Sequence, residues 1–311
     1  MPRSLRTIFT AICLLNALAI GSAQIRAEEY LVFYLGGQSN MDGYGLVNQL
    51  PSDLQAGIPE VMMFHGNTSQ DTKPVDGRGT WVPLKAGHGV GFKSDGETNS
   101  YSGRFGVELT FAKTLAEALP GKKIAIIKYS RGGTSIDQRA AGGFGCWEPD
   151  FEKGAGAGKG INQYDHFLST VRGATSTADI DGDGTADTLV PAGIVWMQGE
   201  SDAANTEEVA KLYEANLKRL MDLIRATFRS DDLPVVIGRI SDSKSDKEQK
   251  TWKFGEQVRQ AQADFVAKDG YARLVTSTDK YGYSDPWHYD SAGYLDLGNE
   301  FAKAMLELHG K

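Results

Sequence analysis

Cysteine is nearly missing from this chain of 311 residues, with two in all; histidine numbers five, and there is no excess of basic charge. Each scarcity excludes something. Cys13 falls in an amino-terminal segment read below as removable, which leaves Cys146 alone. No intrachain disulfide can then form, and the mature fold must rest on its core or on a metal. Cys146 itself is read as a small, partly buried apolar residue. The formal charge is −7, from 33 basic and 40 acidic residues. That balance argues against nucleic acid or an anionic membrane surface as a partner. Beyond the first 27 residues no apolar run is long enough to span a bilayer, so no membrane anchor is expected. No internal repeat and no linker-like stretch interrupts the chain, and residues 28–311 are read as one domain. With so few imidazoles, any reaction that needs one has few places to find it.

The amino terminus belongs to a different regime. Arg3 and Arg6 precede an apolar segment from Ile8 to Ile20, and small residues follow to Ala23, with a second cleavage position after Ala27. This is the pattern of a secretory signal peptide over residues 1–27. Cys13 sits inside the apolar segment without a small residue ahead of it, so a lipid anchor is not expected. Removal through Ala27 leaves 30 basic against 40 acidic residues, a formal charge of −10. The mature protein is expected in the periplasm or outside the cell.

The rest, with 41% hydrophobic and 23% charged residues overall, has the composition of a folded globular protein. Apolar runs predict strands at Tyr30–Leu35, Val61–Phe64, Ile124–Tyr129, Ala192–Met197, Val235–Ile240 and Arg273–Thr276. Between them, period-3.6 patterns predict helices over Val107–Leu119, Gln163–Arg172, Thr206–Phe228, Glu248–Val266 and Ala292–Leu308. Strands alternating with helices imply an α/β fold, with a mostly parallel sheet of about five strands covered on both faces. Residues 65–104 and 142–160 carry no apolar periodicity. Irregular stretches of that length usually have a functional reason.

The candidate chemistry lies where predicted strands end. In L-V-F-Y-L-G-G-Q-S-N-M (31–41), an apolar strand stops at Gly36-Gly37 and delivers Ser39 to the carboxyl edge of the sheet, where α/β folds place their ligands. A serine hydroxyl needs a base to become a nucleophile. His288, in Y-S-D-P-W-H-Y-D between the last strand and the last helix, is the best-placed imidazole. Asp285 precedes it by three, close enough to meet Nδ1 while Nε2 faces the serine. Gly133, in S-R-G-G-T-S, and the side-chain amide of Gln198, in W-M-Q-G-E-S-D, stand just past two other strands. Together with the Ser39 N–H they are candidate donors to a tetrahedral oxyanion. Trp81, Tyr101, Trp147 and Trp287 are candidates to stack on the flat face of a ligand.

These four blocks, G-Q-S-N-M at 37–41, S-R-G-G-T-S at 130–135, W-M-Q-G-E-S-D at 196–202 and D-P-W-H at 285–288, resemble those of the SGNH hydrolases. Within them the chain is most similar to the sialate O-acetylesterase and acetylxylan esterase group, carbohydrate esterase family 6. The resemblance spans essentially the whole mature chain in the family's order. It implies a three-layer α/β/α sandwich, hydrolysis of acetyl esters on carbohydrates, and no cofactor for catalysis. It puts the nucleophile on Ser39, the base on His288, and oxyanion contacts on Ser39, Gly133 and Gln198. The wider superfamily has Asn where this chain has Gln198. For the acid partner, Asp285 has the usual spacing, while Glu200 of the Q-G-E motif is a rival, expected to orient His288 or support its loop. The G-x-S-x-G elbow of the α/β-hydrolases is absent, because Met41 stands at the second glycine's place. Two other readings are a non-catalytic carbohydrate-binding protein on the same fold and a lipase or thioesterase of the SGNH type. The polar, glycine-rich long loops disfavour the latter, which would need an apolar acyl channel.

A last motif lies apart from these. D-I-D-G-D-G-T-A-D sets oxygen ligands on Asp179, Asp181, Asp183, Thr185 and Asp187 around a tight glycine turn, a spacing suited to Ca²⁺. The bidentate Glu of an EF-hand is missing, since Val190 stands in its place. Aspartates set this close repel one another without a counter-ion, so a structural calcium loop bracing the following strand is expected.

Overall fold

The computed structural model describes residues 27–68, 75–151, 161–244 and 249–310. The expected signal peptide, apart from Ala27, lies outside the described residues. Eleven strands occur among them: β1 (Glu29–Gly37), β2 (Gly45–Leu46), β3 (Ile58–His65), β4 (Trp81–Leu84), β5 (Lys93–Ser94), β6 (Asn99–Ser100), β7 (Arg104–Phe105), β8 (Lys123–Ser130), β9 (Thr188–Met197), β10 (Val235–Gly238) and β11 (Ala272–Val275). The helices are α1 (Ser39–Asp42), α2 (Glu108–Ala118), α3 (Gln163–Ser176), α4 (Glu200–Ala203), α5 (Glu207–Thr227), α6 (Gly255–Lys268) and α7 (Ser291–Leu308). Seven strands form the central sheet in the order β11-β10-β9-β1-β8-β3-β4, and β2–β7 and β5–β6 are short ribbons.

All neighbours in the sheet are parallel except β3 and β4. The sheet therefore has more strands than the five or so expected. The strand that escaped notice is β4, an antiparallel edge strand inside the stretch read as irregular. It is four residues long and contains Pro83, which an edge strand tolerates and a run-based reading discounts.

Consecutive residues of β1 show how the layers form. Phe33 packs edge-on against Phe111 of α2, while Tyr34 meets Phe167 of α3 and Phe228 just beyond α5. Alternate side chains of a strand point to opposite faces, so both faces need apolar cover. Phe33, Tyr34 and Leu35 are all fully buried, which is why the strand reads as a continuous apolar run. Helices α2 and α7 cover one face, and α3, α5 and α6 the other.

Helix ends follow capping chemistry. Asn162 accepts N–H bonds from Tyr164 and Asp165, Thr206 from Val209, and Asp290 from Gly293. Helix α6 begins later than the predicted Glu248, because the Asp242 carboxylate accepts the N–H groups of Thr251 and Trp252 and holds that segment in a turn.

Candidate active site

The chain builds the sheet outward from β1 in two directions, first through β3, β4 and β8, then through β9, β10 and β11. The crevice where direction reverses lies at the carboxyl end of β1, the ordinary ligand position of doubly wound sheets. Three strands end level there, with Gly37 opposite Ser130 on one side and Met197 on the other. Gly37 is obligatory: it has φ 144°, and a Cβ would lie 2.0 Å from the Met197 carbonyl oxygen. The chain then turns directly into α1, with Ser39 as its first residue.

Ser39 and His288 line one cleft of about 570 Å³, together with Gly132, Gly133, Tyr44, Arg131 and others. Residues separated by almost the whole mature chain are thus brought to one cavity. His288 Nδ1 lies 2.7 Å from Asp285 Oδ2, and Asp285 Oδ1 accepts the N–H groups of Trp287 at 2.8 Å and His288 at 2.9 Å. Burial pushes the Asp285 carboxyl up, but the bonds from the His288 ring and the two backbone N–H groups outweigh it. The net effect is a value below the ordinary carboxylate range, so the group stays ionised beside the imidazole.

Glu200 does not touch the His288 ring among the described contacts. It is buried, and its Oε1 accepts from Asn40 Nδ2 at 2.7 Å. That same Asn40 nitrogen donates to the Trp287 carbonyl at 3.2 Å, and Asn40 Oδ1 accepts from Tyr294 Oη at 2.8 Å. Asn40 therefore ties the turn carrying Ser39 to the loop carrying His288, and Glu200 anchors Asn40. Of the two rival carboxylates, Asp285 is the one against the imidazole, and Glu200 supports the loop through Asn40. Burial pushes the Glu200 carboxyl up to about 7.

Gly133 lines the cleft with φ 72°, and a Cβ there would strike the Phe144 ring at 2.6 Å. Gln198 is a correction to expectation. Its side chain is fully buried and absent from the cleft lining; its Nε2 donates to Asp202 Oδ2 at 2.7 Å and to the Thr134 carbonyl at 3.1 Å. An amide whose two hydrogens are already engaged has none to offer an oxyanion. Tyr213 Oη, at 2.9 Å from Gln198 Oε1, fixes the amide's orientation.

Two acidic residues that the sequence reading passed over shape the same wall. Asp42 accepts the Ser130 hydroxyl and, at 2.9 Å, the Gly132 N–H. Fully buried Asp202 accepts the N–H groups of Ile136 and Asp137 at 3.0 Å each. Between them they hold both ends of the Gly132–Asp137 segment. Burial raises the Asp202 carboxyl to about 6, against the bonds it accepts. Beneath α1, buried Lys128 donates to the Asp42 carbonyl, the His88 carbonyl and Glu108 Oε2 at 3.0, 2.9 and 2.8 Å. The irregular stretch around His88 is thereby fastened under the turn that carries Ser39. Asp42 falls three residues after Ser39, but nothing in G-Q-S-N-M-D marks it as facing a turn some 90 residues later.

Of the four candidate stacking aromatics, only Trp287 reaches the cleft, and it is 51% exposed. Trp147 and Trp81 are core residues, with indole N–H bonds to Thr134 Oγ1 and the Ala174 carbonyl. Tyr101 packs against His88 and Phe92, with Lys85 Nζ over its ring. Trp252 and the exposed Phe144 line the cleft without having been singled out. Cys146 is buried, and burial pushes its thiol up to about 12, so it is inert.

In the aspartate loop, one carboxylate oxygen each from Asp179, Asp181 and Asp187 converges to within 4.8 Å. Asp183 and Thr185 are not in that group: Asp183 Oδ1 accepts the Thr185 N–H instead. Asp181 also accepts from Tyr30 Oη at 2.9 Å, and Asp187 Oδ1 is buried without a hydrogen-bond partner among the described residues. The loop precedes β9 and so lies at the opposite edge of the sheet from the cleft.

The structure is thus an α/β/α sandwich that gathers a serine hydroxyl, an imidazole and a carboxylate over the carboxyl edge of its sheet, a set of groups able to carry acyl transfer. Comparison with known proteins gives the particular family. The family described as "Carbohydrate esterase, sialic acid-specific acetylesterase" matches residues 29–307. The chain belongs to that family and is a carboxylic ester hydrolase, a carbohydrate O-acetylesterase. A search of curated proteins returns no match. Among solved structures, an Arabidopsis thaliana protein is 20% identical with TM-score 0.58, over 91% of this chain and 99% of its own. A carbohydrate acetylesterase from Xanthomonas citri is 19% identical with TM-score 0.61, over 90% of this chain and 56% of its own. NanS is 15% identical with TM-score 0.56, over 92% and 99%. At these identities the likeness is one of fold.

Proposed function

We propose that the protein is an exported serine esterase that removes O-acetyl groups from a glycan, with Ser39 as nucleophile, His288 as general base and Asp285 as its carboxylate partner. The observation that carries this reading is the 2.7 Å contact between His288 Nδ1 and Asp285 in a ring that shares its cleft with Ser39. Ser39 Oγ attacks the acetyl carbonyl as His288 Nε2 takes its proton. Oxyanion charge falls on the N–H groups of Ser39 and Gly133, and loss of one such donor costs roughly 10²–10³ in turnover. His288 returns the proton to the departing sugar oxygen, then activates the water that releases acetate. Trp287, Phe144 and Trp252 offer apolar faces to the sugar at the rim.

The substrate class follows from the family: acetylated sialic acid is the glycan its description names, and acetylated xylan is the alternative from the resemblance. Acetate release from a panel of acetylated glycans, by the intact protein and by Ser39→Ala, tests the reading. Release by the intact protein that falls to background in the variant is expected; equal release by both would end it. Export by residues 1–27 predicts a mature amino terminus at residue 24 or 28.

At the far end of β9, we propose that Asp179, Asp181 and Asp187 share a calcium ion with a structural role. Three converging carboxylates and the unpartnered, buried Asp187 Oδ1 support this reading.

A further inference from the structure

Tyr44 takes no part in the proton relay described above, yet it covers one face of the His288 ring. The two ring centroids lie 3.5 Å apart and the planes differ by 5°. On another side Trp287 approaches edge-on at 6.3 Å. With Nδ1 bound to Asp285, the imidazole has its plane, its tilt and one nitrogen all constrained.

The stack is built in rather than incidental. The Tyr44 carbonyl accepts from Arg104 Nη1 at 2.6 Å. The next two residues pair with β7, Gly45 opposite Phe105 and Leu46 opposite Arg104. The Leu46 N–H then donates to Ser291 Oγ at 2.9 Å, three residues past His288. The ribbon that presents Tyr44 is therefore clamped to the segment that presents the imidazole. This gives the short β2–β7 ribbon, drawn partly from the stretch without periodicity, a role at the site.

We propose that Tyr44 is a positioning residue for acyl transfer: its ring fixes the imidazole plane and its π face stabilises the imidazolium. The proposal rests on the acyl-transfer reading given above. When Ser39 Oγ bonds to the acyl carbon, its O–H bond breaks and the proton passes to Nε2. The ring is then cationic until that proton leaves with the sugar oxygen as the acyl C–O bond breaks. During that interval Asp285 faces one edge of the ring, and the electron-rich face of Tyr44 lies along its plane. Arg104, whose guanidinium carbon is 6.0 Å from the Tyr44 ring centroid, is the nearby cation behind the stack; Arg131 and Asp42 line the cleft in front. Burial, and after it the charges of Asp42 and Asp285, keep the phenol above its ordinary value, so the face stays neutral under assay conditions.

The experiment compares Tyr44→Leu and Tyr44→Phe with the unaltered protein on an aryl acetate, which carries no sugar. It also measures the rate at which an alkylphosphonate aryl ester modifies Ser39, the new P–Oγ bond replacing the bond to the departing aryloxide. Tyr44→Leu should lower kcat, and the phosphonylation rate with it, about ten-fold, with KM within about two-fold. Tyr44→Phe, which keeps the face and drops the hydroxyl, should stay within about two-fold on both. Should the leucine variant not fold, Tyr44→Met is read in its place. The proposal is overturned if the variant without a ring keeps full kcat, if phenylalanine fails to rescue, or if KM alone rises, which would make Tyr44 a substrate contact. A wild-type protein inert to every ester and to the phosphonate sinks the hydrolase reading as well. An active one indifferent to residue 44 sinks only this proposal.

Discussion

Strand β9 has closely spaced acids at both ends, and they behave differently. Before it come Asp179, Asp181, Asp183 and Asp187; after it come Glu200 and Asp202. At the amino end Asp181 and Asp183 are exposed and Asp179 and Asp187 partly so, and several cap nearby backbone N–H groups: Asp179 accepts from Gly182 and Gly184, and Asp181 from Asp183. At the carboxyl end Glu200 and Asp202 are buried, their partners are remote in sequence, and burial pushes both carboxyls up. Ten residues of strand, about 33 Å, separate the two settings. The lesson is that acid spacing fixes local turns, whereas burial and distant partners decide whether an acid holds a loop, a cation or a reacting group.

The sharpest way to break the contrast, extended from β9 to the two edges of the sheet, is Asp285→Asn, beyond the carboxyl end of β11. It should lower kcat by about 10²–10⁴, through the wrong imidazole tautomer, with the fold retained. Asp181→Asn at the other end should leave kcat alone. An aryl-acetate assay with thermal melts checks both, and equal losses of kcat would erase the distinction.

Next in size is the pH dependence of stability. Glu200 rises from 4.5 to about 7 on folding, so its contribution is complete below about 4.5 and is lost as the pH climbs through 7. Glu200→Gln should flatten the fall in unfolding free energy between pH 5 and 8, by on the order of 3 kcal/mol at most. Asp202, shifted the same way, would supply the slope that remains. Urea unfolding at several pH values measures it, and identical slopes in both proteins would refute the assignment.

The smallest effect is expected at the aspartate loop. Calcium should raise Tm by a few degrees and a chelator should reverse it, with Asp187→Asn abolishing the response and leaving acetate release untouched. A wild-type Tm indifferent to chelator would remove the ion from the account.

The alternation of strands and helices was legible in the chain because period and apolar run length are local properties. Ser39 at the end of β1, and Asp285 three residues before His288, were legible for the same reason: each is a short-range pattern. Strand β4 was hidden by its proline. The capture of Thr251 and Trp252 by Asp242 was hidden too, because it overrides a helical pattern with a side-chain bond.

Sequence alone determined the doubly wound sheet, the place of Ser39 at a strand end, and the imidazole with the carboxylate beside it. Tertiary structure decided which way the polar side chains beyond the strand ends turn. Gln198 turned inward to Asp202 and Thr134; Asn40 reached Glu200, 160 residues away; Tyr44 came to lie on His288. The physical reason is that a backbone pattern fixes where a side chain starts. A buried polar atom goes where its hydrogen bonds can be satisfied, and those partners are supplied by segments the local sequence does not contain.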